Sequence, residues 1–225
     1  MAVQAAQKQR TLSADVYSRM RKDLLDGVLR PGERLRFEDL REVYGVGLSP
    51  LREALTRLAG EELVLLEEHK GFRVAPISRS DLLDIAFMRK EIETMGVRLA
   101  IQQGDDRWEA NVVRAIHELG KRPTLTAEGR VDPEWELRHR AFHVSLVDGC
   151  GSPRLLQIHN LLLDHADRYL RLSHYYSMRP RDSLSEHVDI ADAVVARDSD
   201  LACALINRHL ERTVDTLLSS GLEIG

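Results

Sequence analysis

Apolar residues recur along most of this chain at the spacing of an α-helix. Val16, Met20, Leu24, Leu25 and Val28 fall on one stripe of a 3.6-residue period and predict a helix from Ala14 to Leu29, closed by Pro31-Gly32. Phe37 to Tyr44 predicts a second, short helix with Leu40 and Val43 inward and Gly45 as its stop. Ser49-Pro50 opens a third, with Ser49 as N-cap, Pro50 at the first helical position, and Leu51, Leu55 and Leu58 as the buried stripe. The pattern then changes to two short β-like runs, Leu63 to Leu66 and Phe72 to Ala75. Glu67-Glu68-His69-Lys70-Gly71 between them predicts a hairpin. Three short helices and a hairpin are the outline of a winged helix-turn-helix.

Beyond this the helical period resumes. Helices are predicted at about 79–103, 106–119, 133–148, 153–176, 183–197 and 200–219, with breaks at Gly104, Pro123, Gly149 to Pro153, Pro180 and Asp198-Ser199-Asp200. Helices joined by short loops predict an antiparallel bundle. Pro76 ends the last strand and Ser78, with Asp81 three residues on, caps a new helix, so the expected domains are residues 1–76 and 77–225. No internal repeat or low-complexity segment interrupts them.

Composition agrees with a packed, mainly α protein. The 225 residues are 43% hydrophobic and 30% charged, too apolar for disorder, and only 5% aromatic. The net charge of −4 excludes a uniformly basic histone-like or ribosomal protein but not a local basic surface. The acidity is uneven, with a net of +1 over residues 1–76 and −5 over 77–225. Apolar runs such as Leu161-Leu162-Leu163 fall far short of the roughly 18–20 residues that span a bilayer. The N-terminal stretch lacks an apolar segment of signal-peptide length, so a cytoplasmic protein without membrane contact is expected. Cys150 and Cys203 are too few for a disulfide framework and read as small buried hydrophobes.

In a helix-turn-helix the N-terminal residues of the second helix of the pair meet base edges in the major groove. That end carries Leu48, Ser49 and Arg52. With Leu51 and Leu55 buried, Arg52 points outward and suits guanine O6/N7 or a phosphate. Ser49 suits a base edge or a phosphate, and the helix N-terminal amides favour phosphate. Lys70 and Gly71 suit a wing in the minor groove, and Arg34, Arg36 and Arg41 are candidates for backbone contacts or plain solvated charges.

The segment from Tyr44 to Leu55 (YGVGLSPLREAL) resembles the recognition segment of the GntR family of bacterial transcription regulators. Gly27 to Leu35 (GVLRPGERL) and Gly71-Phe72-Arg73-Val74 are similar to that family as well. The family commonly has Ser-Arg-Thr before the proline, where this chain has Gly47-Leu48-Ser49. The arginine that reads a base in the family is therefore Leu48 here, and a leucine contacts a thymine methyl.

Histidines carry the candidate chemistry of the second part. His139 and His143 are one helical turn apart on one face, a spacing that suits two imidazoles on one ion. His187 and His209 lie on consecutive helices, which bring them to one point of a bundle core if they run antiparallel. His165 is a fifth candidate, more readily read as a hydrogen-bonded core residue. Imidazole ligation without thiolate points to zinc, nickel or another divalent ion.

His139 to Leu146 (HRAFHVSL), Glu186-His187 and His209-Leu210 resemble the FCD effector-binding domain of FadR-type GntR regulators, and Arg138 to Ser152 is similar to its CsiR-like members. The resemblance implies a metal held by His139, in the place of the family's Asp or Asn, with His143, His187 and His209. It also implies a small carboxylate or dicarboxylate effector that completes the metal shell and meets Arg89. An intrahelical Arg89–Glu93 pair is the alternative role for that arginine. Arg168, Tyr169 and Tyr176 are weaker pocket candidates. Another departure is Arg197-Asp198, where the family has Gly-Asp.

The whole reads as an effector-controlled repressor of a catabolic operon, a homodimer on near-palindromic double-stranded operator DNA. A metal-dependent hydrolase or lyase is the alternative, against which no placed acid–base partner is found: Glu186 is expected to face away from His187. A metal that only stiffens the bundle is a third reading.

Overall fold

The computed structural model describes residues 2–128, 131–174 and 184–219, with side chains described from residue 12 and, in the middle segment, to residue 172. The chain divides into two compact units, Met1–Ser78 and Arg79–Gly225.

The first unit is built on α1 (Ala2–Leu25), α2 (Phe37–Tyr44) and α3 (Leu48–Gly60), with a sheet of β1 (Arg34–Leu35), β2 (Val64–Glu67) and β3 (Gly71–Val74). The sheet order is β1-β3-β2 and both pairings are antiparallel, with Leu35 opposite Phe72 and Val64 opposite Val74. Val16, Met20 and Leu24 from α1 pack with Leu51, Leu55 and Leu58 from α3, all at most 1% exposed. Polar clasps reinforce the α1–α3 contact: Ser13 Oγ donates to Glu53 at 2.7 Å and Tyr17 Oη to Glu61 at 2.5 Å.

Three local expectations change here. The first helix ends at Leu25 rather than Leu29, because Gly27 takes a left-handed φ of +72° and the Leu29 N–H turns back to the Asp23 carbonyl. Val28 is thereby expelled, 67% exposed. In α2 the inward partner of Leu40 is Tyr44, whose hydroxyl donates to Asp23 at 2.6 Å, while Val43 is 64% exposed. Helix α3 begins at Leu48 with Gly47 as its N-cap, so Ser49 lies inside the first turn and is exposed. Strand β1, two residues long, has no periodicity to announce it.

The second unit is helical among its described residues: α4 (Arg79–Gln103), α5 (Asp106–Leu119), α6 (Pro133–Val147), a 3₁₀ turn (Asp148–Cys150), α7 (Pro153–His174), α8 (Leu184–Val195) and α9 (Ser199–Ser219). Asp105 and Asp132 cap α5 and α6 by accepting from the N–H groups of Trp108 and Glu134. Val97, Ala100, Val112, Phe142, Leu146, Ile190, Val194, Ala202 and Ile206 form a dry core to which α4, α5, α6, α8 and α9 contribute. Helix α4 is the central element, packed against α6, α7 and α9. A methyl group at Gly96 would lie 2.8 Å from Val147 Cγ1, so the glycine allows the end of α6 to approach α4 closely.

Arg197, at φ +59°, closes the α8–α9 turn and caps the far end of α4. Its Nη1 donates to the carbonyls of Ile101 and Gly104 at 2.7 and 2.9 Å, and its guanidinium lies over Trp108. No helix among the described residues is long and apolar enough to cross a membrane.

Candidate metal centre and DNA-reading head

Helix α6 presents His139 and His143 on one face, α8 presents His187 and α9 presents His209. One nitrogen from each ring lies within 4.8 Å of those of the others, and all four residues are buried. The Nε2 atoms of His139 and His143 are 3.2 Å apart. Two nitrogens on a tetrahedral zinc at the usual bond length stand roughly 3.3 Å apart, so this pair already has the spacing of ligands. Trp135 stacks on His139 at 4.7 Å and Phe142 packs edge-on against His143 and His187, which fixes the ring planes.

Burial, reinforced by the neighbouring imidazoles, pushes the His139 pKa well below its ordinary value. Burial also takes His143 down to about 4, against the opposing pull of Glu93. Neutral rings keep the lone pairs that a divalent cation needs. Donor type and spacing, with the lowered pKa values of His139 and His143, fit a divalent metal in the borderline class that favours imidazole.

Two carboxylates stand behind the cluster, Glu186 and Glu93, and the sequence alone places neither there. Glu186 Oε2 lies 2.9 Å from His209 Nδ1, and its other oxygen accepts from Arg212 at 3.0 Å. Glu186 does sit beside His187 in sequence, yet its work is on the next helix, orienting His209. Glu93 Oε2 lies 3.6 Å from His143 Nδ1, and its Oε1 lies 3.8 Å from Nε2 of His159. With the carboxylates on the Nδ1 side, Nε2 is the atom that His143 and His209 offer to the centre.

Arg89 forms the intrahelical pair with Glu93: Nη2 and Nε are 2.6 and 2.8 Å from Oε1. The pair differs from a surface one because both side chains are buried, at 7% and 2% exposure. Burial alone would raise the Glu93 pKa, but Arg89, followed by His143, overrides it and holds the carboxyl well below its usual range. Arg89 also lines an apolar crevice with Leu82, Ile85, Ala166, Leu170 and Leu210.

His165 is not part of the cluster and is only half-buried; the buried histidine of α7 near the centre is His159. Tyr169 is buried and its hydroxyl donates to Asp81 at 2.6 Å, which ties it to the first turn of α4. Arg168 is buried on the same helix, and its pKa is lowered by that burial. Tyr176 lies outside the described residues. Cys150 and Cys203 are buried free thiols, and burial pushes the Cys203 thiol up.

In the first unit Leu48, Ser49 and Arg52 share the exposed side of the first turns of α3, with Leu48 50% exposed. The Arg52 guanidinium lies 5.7 Å from the centre of the Phe37 ring, which steadies it without neutralising it. Lys70 is exposed in the β2–β3 turn beside Gly71, whose φ of +84° makes that turn possible. Arg34 reaches the Lys70 carbonyl at 3.4 Å, which places it on the wing, while Arg36 and Arg41 are exposed at the start and end of α2.

A winged helix-turn-helix followed by a separate helical unit with a buried pocket of donors defines a DNA-binding transcription regulator. Residues 12–74 match the gntR family of bacterial regulatory proteins and residues 84–212 match the FCD domain, and the chain belongs to this GntR family. It is 41% identical over 202 residues to the HTH-type transcriptional repressor GlaR of Escherichia coli, covering 88% of this chain and 92% of that one. It is 32% identical to the HTH-type transcriptional regulator BphR of Paraburkholderia xenovorans over 95% of this chain and 88% of that one. Among solved structures, E. coli McbR/YncC shares the fold, with a TM-score of 0.74 at 22% identity over 92% of this chain and 97% of that one.

Proposed function

We propose that this protein is a repressor of a catabolic operon, working in the cytoplasm as a homodimer on a near-palindromic operator. Its first domain reads DNA, with Leu48, Ser49 and Arg52 at base edges and Arg34, Arg41, Lys70 and Gly71 on the backbone and minor groove. Its second domain holds a divalent ion, zinc or nickel, on His139, His143, His187 and His209, and receives a small organic acid beside it. A bound metal would supply a Lewis-acid centre, and an ion that takes more than four donors would accept a carboxylate beside the four imidazoles. Arg89 orients that carboxylate, Glu186 orients the His209 ring, and the apolar walls exclude water.

The observation that carries this reading is the convergence of four buried imidazoles from three helices within 4.8 Å, in a chain of the GntR family. The effector releases the operator only if it binds the DNA-competent and DNA-incompetent forms with different affinity. The test is a titration of a promoter fragment with zinc-loaded protein, repeated with a panel of short-chain carboxylates. The reading requires that one acid weaken DNA binding and that chelation abolish its effect. A response to acids that persists after the metal is stripped would reduce the ion to a brace.

A further inference from the structure

On the proposed function, the Arg89–Glu93 pair stands where the effector carboxylate would bind. Glu93 is 1% exposed and one of its oxygens takes both the Nε and Nη2 of Arg89. Around the same carboxylate stand two more ring nitrogens, His143 Nδ1 at 3.6 Å and His159 Nε2 at 3.8 Å, both beyond hydrogen-bond reach. Neither nitrogen of the buried His159 has a hydrogen-bond partner. One carboxylate thus sits among three groups that bind carboxylates and satisfies only the guanidinium, which its own backbone holds one helical turn away.

We propose that Glu93 is a resident competitor for the effector site: its carboxylate occupies the place on Arg89 that an incoming carboxylate takes, and so sets which anions the site admits. The inference rests on the reading of Arg89 as the effector's partner. Its physical basis is charge balance. On Arg89 itself one buried guanidinium is already matched by one buried carboxylate, and a second carboxylate arriving there meets the Glu93 charge at close range where water screens it little, whatever the ion contributes from the far side of His143. The newcomer must displace Glu93 from Arg89, so a weakly held acid is turned away. An acid with a second attachment, on the metal or in the apolar crevice, gains enough to replace it.

The proposal predicts a gain of binding, the opposite sign from what loss of a structural ion pair would give. Acetate is titrated calorimetrically into zinc-loaded full-length protein, with the zinc content of each variant checked first. Glu93→Gln leaves Arg89 without its anion and binds acetate at least tenfold tighter than the unmodified protein. Glu93→Asp, which keeps the charge but withdraws it by one methylene, falls between the two. Arg89→Gln removes acetate binding in both the unmodified and Glu93→Gln backgrounds. If Arg89→Gln weakens acetate while Glu93→Gln and Glu93→Asp bind it no tighter than before, the competitor is refuted and the role of Arg89 stands. If Arg89→Gln leaves acetate affinity unchanged, the assignment of Arg89 itself fails and this inference with it. Should Glu93→Gln not fold, Glu93→Asp decides alone, and an unchanged or weakened affinity overturns the proposal.

Discussion

Replacing Glu186 by glutamine removes one charge behind the histidine cluster and keeps the side chain's shape. In the structure Glu186 joins His209 Nδ1 at 2.9 Å and Arg212 at 3.0 Å, with its side chain 13% exposed. Loss of such an outer partner lowers metal affinity by roughly 10–100-fold. Glutamine still offers an oxygen to Nδ1, so the low end applies, about tenfold or ~1.4 kcal/mol. At saturating zinc that difference appears in full as stability of the metal-bound form. For a unit of this size 1 kcal/mol moves Tm by roughly 2–4 °C. The rise in Tm on adding zinc is therefore about 3–6 °C smaller in Glu186→Gln than in the unmodified protein. Competition with a chromophoric chelator gives the affinity, and thermal unfolding with and without zinc gives the Tm difference. Using the zinc-induced rise cancels whatever the substitution does to the metal-free fold. An identical rise in both proteins, with equal zinc affinity, would sink the claim that Glu186 tunes a ligand.

Arg52→Ala loses about 1–3 kcal/mol of affinity for the promoter fragment while its Tm and its binding to scrambled duplex hold, as fluorescence anisotropy will report; undiminished selectivity contradicts the base-reading role. Lys70→Ala weakens all duplexes alike and lowers the slope of log affinity against log salt by about one, and a loss confined to the promoter would argue against backbone contact. Gly149→Ala places a methyl 2.8–3.0 Å from the Trp108 indole and destabilises by about 1–3 kcal/mol through overpacking, read as a fall in Tm; an unchanged Tm refutes it.

The gross plan was legible in the sequence because it rests on long-range periodicity. Stripes such as Leu51, Leu55 and Leu58 can bury only one face of a helix, and the two apolar runs after Gly60 can pair only as a hairpin. What escaped was decided by single backbone turns and by tertiary choice. Val28 fits its stripe perfectly well, and only the left-handed turn at Gly27 removes it. Tyr44 displaces Val43 because its hydroxyl finds Asp23, a partner on another helix. Around the candidate centre, the His139–His143 spacing and the His187–His209 separation reveal themselves locally or by helix count. Glu93 and His159 come from α4 and α7, which the sequence cannot bring to α6. Glu186 was misjudged because its neighbour in sequence is His187 whereas its partner in space is His209.

The stack of His139 on Trp135 gives residue 139 a second anchorage. The indole packs on that ring without help from any ion, so on the proposed function the pocket would keep its form when the ion leaves. An aspartate at the same position would bring a negative charge but leave the indole face bare. Histidine and aspartate codons differ by a single base. On the proposed reading of residue 139 as a ligand, that one base change would exchange a softer nitrogen donor for a harder oxygen one and lose the contact with the tryptophan.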